Sequence, residues 1–372
     1  MKLYLDQPAQ EIVAQATYAE KDLCKALGCW WNPTAKRWAI ALSRMERLQE
    51  AQLSRLAQYA GDQATANFLT TKYNAQQSNK EASRALTSDL QIPVPSGLNY
   101  FPFQKAGIEF CLNTYAGGRT GVLLADEMGI GKSIQTIGLL NMRPDLHNVL
   151  IVCPASLRIN WARESAKWLT GPATIQIHSA DGTHQTQQQG AEGARLIRIA
   201  NYESLVRRTD LQQASYDLLV VDEGHMVKNQ KTKRSAAVLA AAGHSRYRLC
   251  LTGTPIVNRP VELFSLLNFV DPSAYSQKGF FGYAKRYCAA HKKDIGRGRT
   301  VWDFSGASNL DELQDTLRRT LMIRRLKQDV LKELPPKTRQ IVVLQQNGAT
   351  KQLQQEQPIV TELQHLSAVV DA

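Results

Sequence analysis

No stretch of the sequence reaches eighteen consecutive apolar residues, so no segment reads as a membrane-spanning helix. The opening residues, MKLYLDQPAQEIV, have neither the apolar run nor the small-residue cleavage site of a secretory signal. The expected location is therefore intracellular, cytoplasmic in a bacterium or virus and nuclear in a eukaryote, with no membrane partner. Cysteine is scarce: the six (Cys24, Cys29, Cys111, Cys153, Cys250, Cys288) form no CxxC pair, and the seven histidines do not complete a zinc set. Cys153 and Cys250 fall in apolar runs and read as reduced core thiols. Acidic residues are also short. Thirty-three Asp and Glu face forty-five Lys and Arg, a net charge of +12 that points to polyanionic partners. Residues 278–340 hold fifteen Lys/Arg against seven Asp/Glu, and so carry most of that excess.

What is present divides along the chain. At 372 residues, two or three folded units are expected. Residues 1–60 read as a small α+β module with helices near 18–28 and 43–59. WWNPTAKRW (30–38) is a strand, an Asn-Pro turn and a strand that set Trp30 or Trp31 against Trp38. Residues 61–97 are Gln-, Ser- and Asn-rich, a helix-prone linker closed by two prolines. From 98 to 270 come GVLLA (121–125), VLIVC (149–153), LIRIA (196–200), DLLVVD (217–222) and YRLCLT (247–252), apolar runs without polar alternation. Such strands are buried on both faces, which predicts an α/β lobe with a parallel sheet between helices. A helical, basic segment is expected over 271–339. Residues 340–372 open another unit with the strand-like IVVL (341–344).

Chemistry concentrates at three strand ends. In GVLLADEMGIGKS (121–133), a strand meets a glycine-bearing turn and then Lys-Ser opening a helix. Glycines let backbone N–H groups turn inward onto phosphates, and the helix N-terminus adds partial positive charge. Lys132 would reach the β- and γ-phosphates of ATP, and Ser133 would place its hydroxyl on Mg²⁺. The strict phosphate-loop pattern fails at its first position, Asp126, which leaves only Gly129 and Gly131. A tight turn that happens to read GIGKS is the alternative. DLLVVDEGH (217–225) ends a strand in Asp222, placed to hold Mg²⁺, and Glu223, suited to orient the attacking water. CLTGTPIVNRP (250–260) offers two threonine hydroxyls around a glycine, which read alone is a simple turn.

In this order, the motifs resemble superfamily-two helicases and, in detail, the Swi/Snf family of helicase-like ATPases. LNYFPFQKAGIEF (98–110), ADEMGIGKSIQTIGLL (125–140), VCPASLRINWARE (152–164), IANYESL (199–205), DEGHMVKNQKTKRSAAV (222–238) and LTGTPIVNRPVELFSLLNFV (251–270) carry that likeness, which extends over 98–344. WDFSGASNLDEL (302–313) and MIRRLKQDVLKELPPKTRQIVV (322–343) look like the annealing-helicase branch. GCWWNPTAKRW (28–38) is similar in style to the HARP accessory module, or is a compact domain with tryptophans in its core.

The resemblance implies a RecA-like first lobe of a DNA-dependent ATPase, with ATP and Mg²⁺ held by Gln104, Asp126, Glu127, Met128, Gly129, Ile130, Gly131, Lys132 and Ser133. Lys132, Asp222 and Glu223 would be catalytic. His225, Thr252, Gly253 and Thr254 would couple the site to DNA. Phosphate-backbone contacts would come from Ser156, Arg158, Asn201, Lys228, Arg259, Arg324, Arg325 and Lys327. Fork or junction DNA is the expected partner, with Trp30, Trp31, Lys36, Arg37 and Trp38 as candidate junction readers. No arginine-finger motif follows residue 344, so low activity is expected of this chain alone, with a second chain or protomer supplying the other lobe. A nucleotide-gated DNA-binding module without turnover is the competing class. An RNA-directed helicase is a nearer rival, which 281–343 argues against.

Overall fold

The computed structural model describes residues 1–331 apart from Gln49, 180–181, 189–193, 254–258, 277–278 and 297–298. The expected strand 341–344 and the unit expected over 340–372 lie outside the described residues. So does Thr254.

The first strands, β1 (Lys2–Asp6) and β2 (Glu11–Gln15), precede helix α1 (Lys21–Ala26), then β3 (Trp30–Asn32) and β4 (Arg37–Ala41). They form an antiparallel sheet in the order β1-β2-β4-β3. Trp31 stands opposite Trp38 as the spacing predicts, their rings edge-to-face at 5.7 Å between centroids. The helix expected over 43–59 is broken into a 3-10 segment, α2 (Glu50–Leu56) and a second 3-10 turn. Leu3, Ile12, Leu27, Ile40 and Leu56 are fully buried between sheet and helices.

The segment read as a linker is packed rather than free. It holds α3 (Gln63–Ala82), capped by Asp62, which accepts the Thr65 amide at 2.7 Å. One face buries Thr65, Leu69 and Gln76. Polar composition hid this because the buried polar groups have partners: Gln76 Oε1 accepts from the fully buried Arg319 at 2.7 Å, and Lys80 bridges Glu50 and Asp315 at 2.9 and 2.7 Å. Buried polar groups are tolerated when hydrogen-bonded.

The main lobe runs α4 (Pro102–Ala116), β5 (Gly121–Leu124), α5 (Lys132–Met142), β6 (Asn148–Cys153), α6 (Arg158–Trp168), β7 (Ala173–His178), β8 (Thr183–Gln188), β9 (Arg195–Asn201), α7 (Tyr202–Arg207), α8 (Thr209–Gln213), β10 (Tyr216–Val221), α9 (Lys233–Gly243), β11 (Ser245–Leu251) and α10 (Pro260–Val270). The basic segment follows as α11 (Phe280–Tyr287), the antiparallel hairpin β12 (His291–Asp294) and β13 (Thr300–Asp303), α12 (Leu310–Thr320), β14 (Met322–Ile323) and α13 (Lys327–Val330).

The large sheet has the order β14-β5-β11-β10-β6-β9-β7-β8, parallel throughout except for β8. Alternate residues of each central strand face two separate cores. Leu123, Leu150, Leu219 and Val221 meet one set of helices, while Val122, Leu124, Ile151 and Val220 meet the other. This double burial is why the strands read as unbroken apolar runs. The six cysteines are free and buried. Among the described residues, no helix is long and apolar enough to cross a membrane.

Candidate nucleotide site

Parallel strands deliver their following loops to one edge of the sheet. The order β5-β11-β10 therefore brings three loops side by side: 125–131 after β5, 252–253 after β11 and 222–225 after β10. Gly129 and Gly131 both have φ of +86°, in the left-handed region, so the turn needs glycine at each. A Cβ on Gly131 would stand 2.4 Å from the Gln104 amide nitrogen, so the loop also needs that emptiness. Gln104 is buried beneath it, donating to the Ile130 carbonyl at 3.3 Å and accepting the Phe101 amide at 3.1 Å.

Lys132 opens α5, and its ammonium donates to the carbonyls of Asp126 at 2.9 Å and Glu127 at 3.3 Å. Burial lowers its pKa, against the fields of Glu223, Asp126 and Asp222, which raise it. An ammonium this short of compensation gains by meeting phosphate oxygens. Ser133 follows it, half-buried, and Met128 is exposed at the loop's crest.

Asp222 ends β10 and is buried. Its Oδ2 accepts the Trp161 indole N–H at 2.8 Å, and its Oδ1 accepts the Glu223 amide at 2.9 Å. Burial raises its pKa, the Trp161 bond opposes this, and neighbouring Glu223 adds to it. Trp161 escaped the sequence reading, since nothing in its spacing ties it to an acid sixty-one residues on. The only signal was an indole inside a strand-following motif. Tyr202 closes the same corner, its hydroxyl bonded to the Asp222 carbonyl. Glu223 has φ +51° and ψ +57°, a left-handed conformation that costs a residue with a Cβ about 1 kcal/mol or more. It is partnered by His225 Nδ1 at 3.2 Å. Between these loops lies Gly253, where a Cβ would stand 2.5 Å from Met128 Cγ. Thr252 is fully buried and donates its amide to the Leu124 carbonyl at 3.2 Å.

Three expected DNA contacts are placed elsewhere. The chain returns to the sheet at β14 and runs alongside β5: Leu123, Ala125 and Glu127 donate their amides to the carbonyls of Leu321, Ile323 and Arg325 at 2.8, 2.8 and 3.0 Å. Arg325 is thereby buried against Asp126. Its amide and Nε each lie 3.0 Å from Oδ1, and Nη2 bonds Oδ2 and, at 2.9 Å, Gln135. Nη1 bonds the Phe103 carbonyl. With four of its five donors used inside the protein, Arg325 is not a DNA contact, and Asp126 anchors the loop rather than facing nucleotide. Arg324 donates to the carbonyls of Ala125 and Gly253 at 3.2 and 3.4 Å. Lys327 donates its amide to Glu127 Oε2 at 2.7 Å, and its Nζ stands 3.0 Å from where a Gly129 Cβ would be. Both belong to the nucleotide edge.

The other candidates follow β6, β9, β10 and β11. Ser156 is exposed, and Arg158 reaches back to the Ala155 carbonyl at 3.3 Å. The Asn201 oxygen is spent capping α7, accepting the Ser204 amide at 3.2 Å. Lys228 pairs with Glu262 at 3.0 Å, and Arg259 is exposed before Pro260. In the first module, Arg37 is tied to Asp6 and Glu11 at 3.1 and 2.8 Å, and Trp38 packs against the core. Trp31 remains exposed.

The model of the SNF2-related domain matches residues 103–369. The SWI/SNF-related matrix-associated actin-dependent regulator of chromatin subfamily A-like protein 1 of Xenopus tropicalis is 34% identical over 262 residues, 70% of this chain and 26% of that protein. The human DNA annealing helicase and endonuclease ZRANB3 is 37% identical over 243 residues, 64% of this chain and 22% of that protein. The chain thus spans about a quarter of the length of these relatives. Among solved structures, the Sulfolobus solfataricus SWI2/SNF2 ATPase core in complex with dsDNA superposes with a TM-score of 0.51 at 26% identity, covering 68% of this chain and 49% of that one.

Proposed function

The chain belongs to the SNF2-related family of helicase-like ATPases, and on that premise we propose that it is the first lobe of a DNA-dependent ATPase and translocase. Its substrate is fork or single-strand/double-strand junction DNA, remodelled or annealed during replication or repair. One observation carries the reading: Lys132, Asp222 and Glu223 converge from the ends of β5 and β10, two strands apart, with the 252–253 turn between them. The glycine cradle and the buried Asp222 suit MgATP. Lys132 and Ser133 would hold the triphosphate, and Ser133 and Asp222 the metal. Bound there, Mg²⁺ neutralises phosphate charge. Glu223 orients water toward the γ-phosphorus and takes its proton as the bond to the leaving ADP oxygen breaks. Gly253, packed on Met128, ties the phosphate loop to the end of β11, so that DNA on the neighbouring strand ends is felt at the nucleotide. The names of the relatives and the DNA-bound core support the choice of DNA.

The test is titration with a fluorescent ATP analogue and Mg²⁺, alongside anisotropy with duplex DNA over a range of salt. Lys132→Ala should weaken the analogue at least about tenfold while the chain still unfolds cooperatively, at a somewhat lower melting temperature because the Asp126 and Glu127 carbonyls lose their donor. Duplex affinity should fall steeply with salt and depend little on sequence. Equal analogue affinity in the two proteins sinks the phosphate-loop assignment, and salt-independent binding sinks the backbone-contact reading.

A further inference from the structure

The hairpin β12–β13 leaves unusual surface in water. Trp302 and Phe281 are each 39% exposed and Val301 is 45% exposed. Phe281 meets Trp302 edge-to-face at 4.7 Å between centroids, and Phe304 stacks nearly parallel to Trp302 at 6.3 Å. Clustered exposed aromatics are uncommon on a soluble surface and mark contact sites.

Cations frame this cluster. Lys285 Nζ lies 4.8 Å from the Phe281 ring centre and 5.9 Å from that of Trp302, and Lys292, opposite Trp302 in the hairpin register, lies 5.9 Å from it. Lys285 and Lys292 form no ion pair with a described residue, while Lys293 lies on the other face of the hairpin register, where its charge bears on Asp303. The nearby acids are occupied locally. Asp294 accepts the Gly296 amide at 2.7 Å, Asp303 accepts the Ser305 amide at 2.8 Å, and Glu312 is paired with Arg286. The surface therefore presents Lys285 and Lys292 beside aromatic rings, with Asp294 and Asp303 bonded to neighbouring backbone amides and Glu312 bonded to Arg286.

We infer that this hairpin and the adjoining side of α11 form a second nucleic-acid contact that takes an unpaired strand, Trp302 stacking on a base while Lys285 and Lys292 hold phosphates. Duplex DNA hides its base faces, so an exposed indole discriminates for single strand, whereas the cations alone would not. This deepens the motor reading and rests on it: the strand-end loops grip duplex, and the hairpin takes the strand that leaves it. It also moves the junction contact from the first module, where Arg37 is already neutralised, to the basic segment.

The experiment measures anisotropy of dye-labelled oligothymidylate and of blunt duplex on the full chain, its Trp302→Ala, Trp302→Phe and Lys285→Ala/Lys292→Ala variants, with thermal melts to check folding. Trp302→Ala should lose about 5- to 100-fold in single-strand affinity, as removal of one stacked base predicts. Duplex affinity should change less than about twofold, because the phosphate cations remain. Trp302→Phe should retain most binding, and the lysine variant should flatten the salt dependence on oligothymidylate. An unchanged single-strand affinity in folded Trp302→Ala overturns the inference, as does an equal loss on duplex. Displacement of oligothymidylate by polyglutamate at equal charge does so too, making the patch a general acidic-ligand surface. Wild-type binding to duplex but not single strand overturns the inference alone, and binding to neither overturns the motor reading as well.

Discussion

Trp161, on the helix after β6, donates its indole N–H to the carboxylate of Asp222 at the end of β10, at 2.8 Å and out of contact with solvent. The bond favours the ionised acid against the burial that raises its pKa. Trp161→Phe removes the donor and keeps most of the packing. The Asp222 carboxyl should then rise further, and less of it is ionised at any pH where metal must bind. The loss of MgATP affinity relative to wild type should therefore widen as pH falls from about 8 to about 5.5. Analogue titrations across that range decide it, and a constant ratio would show that Trp161 only packs.

Glu223 is held at φ +51°, a conformation in which a Cβ is unfavourable. Glu223→Gly should raise stability by about 1 kcal/mol while abolishing phosphate release. Glu223→Gln keeps the strain and the fold, binds MgATP, and should slow single-turnover release by about 10²-fold or more. Denaturant melts paired with single-turnover assays separate the two effects. A destabilised glycine variant would mean that the His225 contact outweighs the strain.

Asp126 and Arg325 form a pair in which both side chains are almost wholly out of water. Arg325→Met leaves an uncompensated buried carboxylate and should cost about 3–5 kcal/mol. The double replacement Asp126→Asn with Arg325→Met should cost less than the sum of the same two singles by about 1–3 kcal/mol. Guanidinium unfolding of the four proteins closes the cycle, and simple additivity would refute the coupling.

His178, at the end of β7, has its pKa lowered to about 4 by burial and then by the charges of Arg208 and Arg198. The unfolded imidazole takes a proton near pH 6.5, before the folded one does. Stability is therefore intact above about 6.5 and declines as pH falls toward about 4, by up to ~3 kcal/mol. His178→Gln should flatten that decline in urea melts run at several pH values. Identical slopes would assign the acid sensitivity to other groups.

The nucleotide edge was legible because its chemistry is local: two glycines, a lysine and a serine within five residues fix the turn and the helix start, and two acids close an apolar strand. Arg324, Arg325 and Lys327 were misplaced because their neighbours are set by parallel pairing with β5, some two hundred residues earlier in the chain. A two-residue strand leaves no periodicity to read. β7 alternates apolar and polar residues, ATIQIH, and so does not stand out beside the unbroken apolar runs of the central strands. The packed α3 was hidden by composition, since its buried Gln76 and part-buried Lys80 look solvated until Arg319, Asp315 and Glu50 are in place.

The strand that returns beside β5 also fixes where mechanical load enters this lobe. Residues 321–327 are stitched to 123–127 by three successive backbone bonds and by the pairing of Arg325 with Asp126. Glu127 then grips the first residue of α13. Tension arriving through α13 therefore bears on the residues that carry Gly129, before it reaches any helix of either core. The loop that carries Gly129 and the returning residues 321–327 thus share one set of bonds, so whatever pins one pins the other.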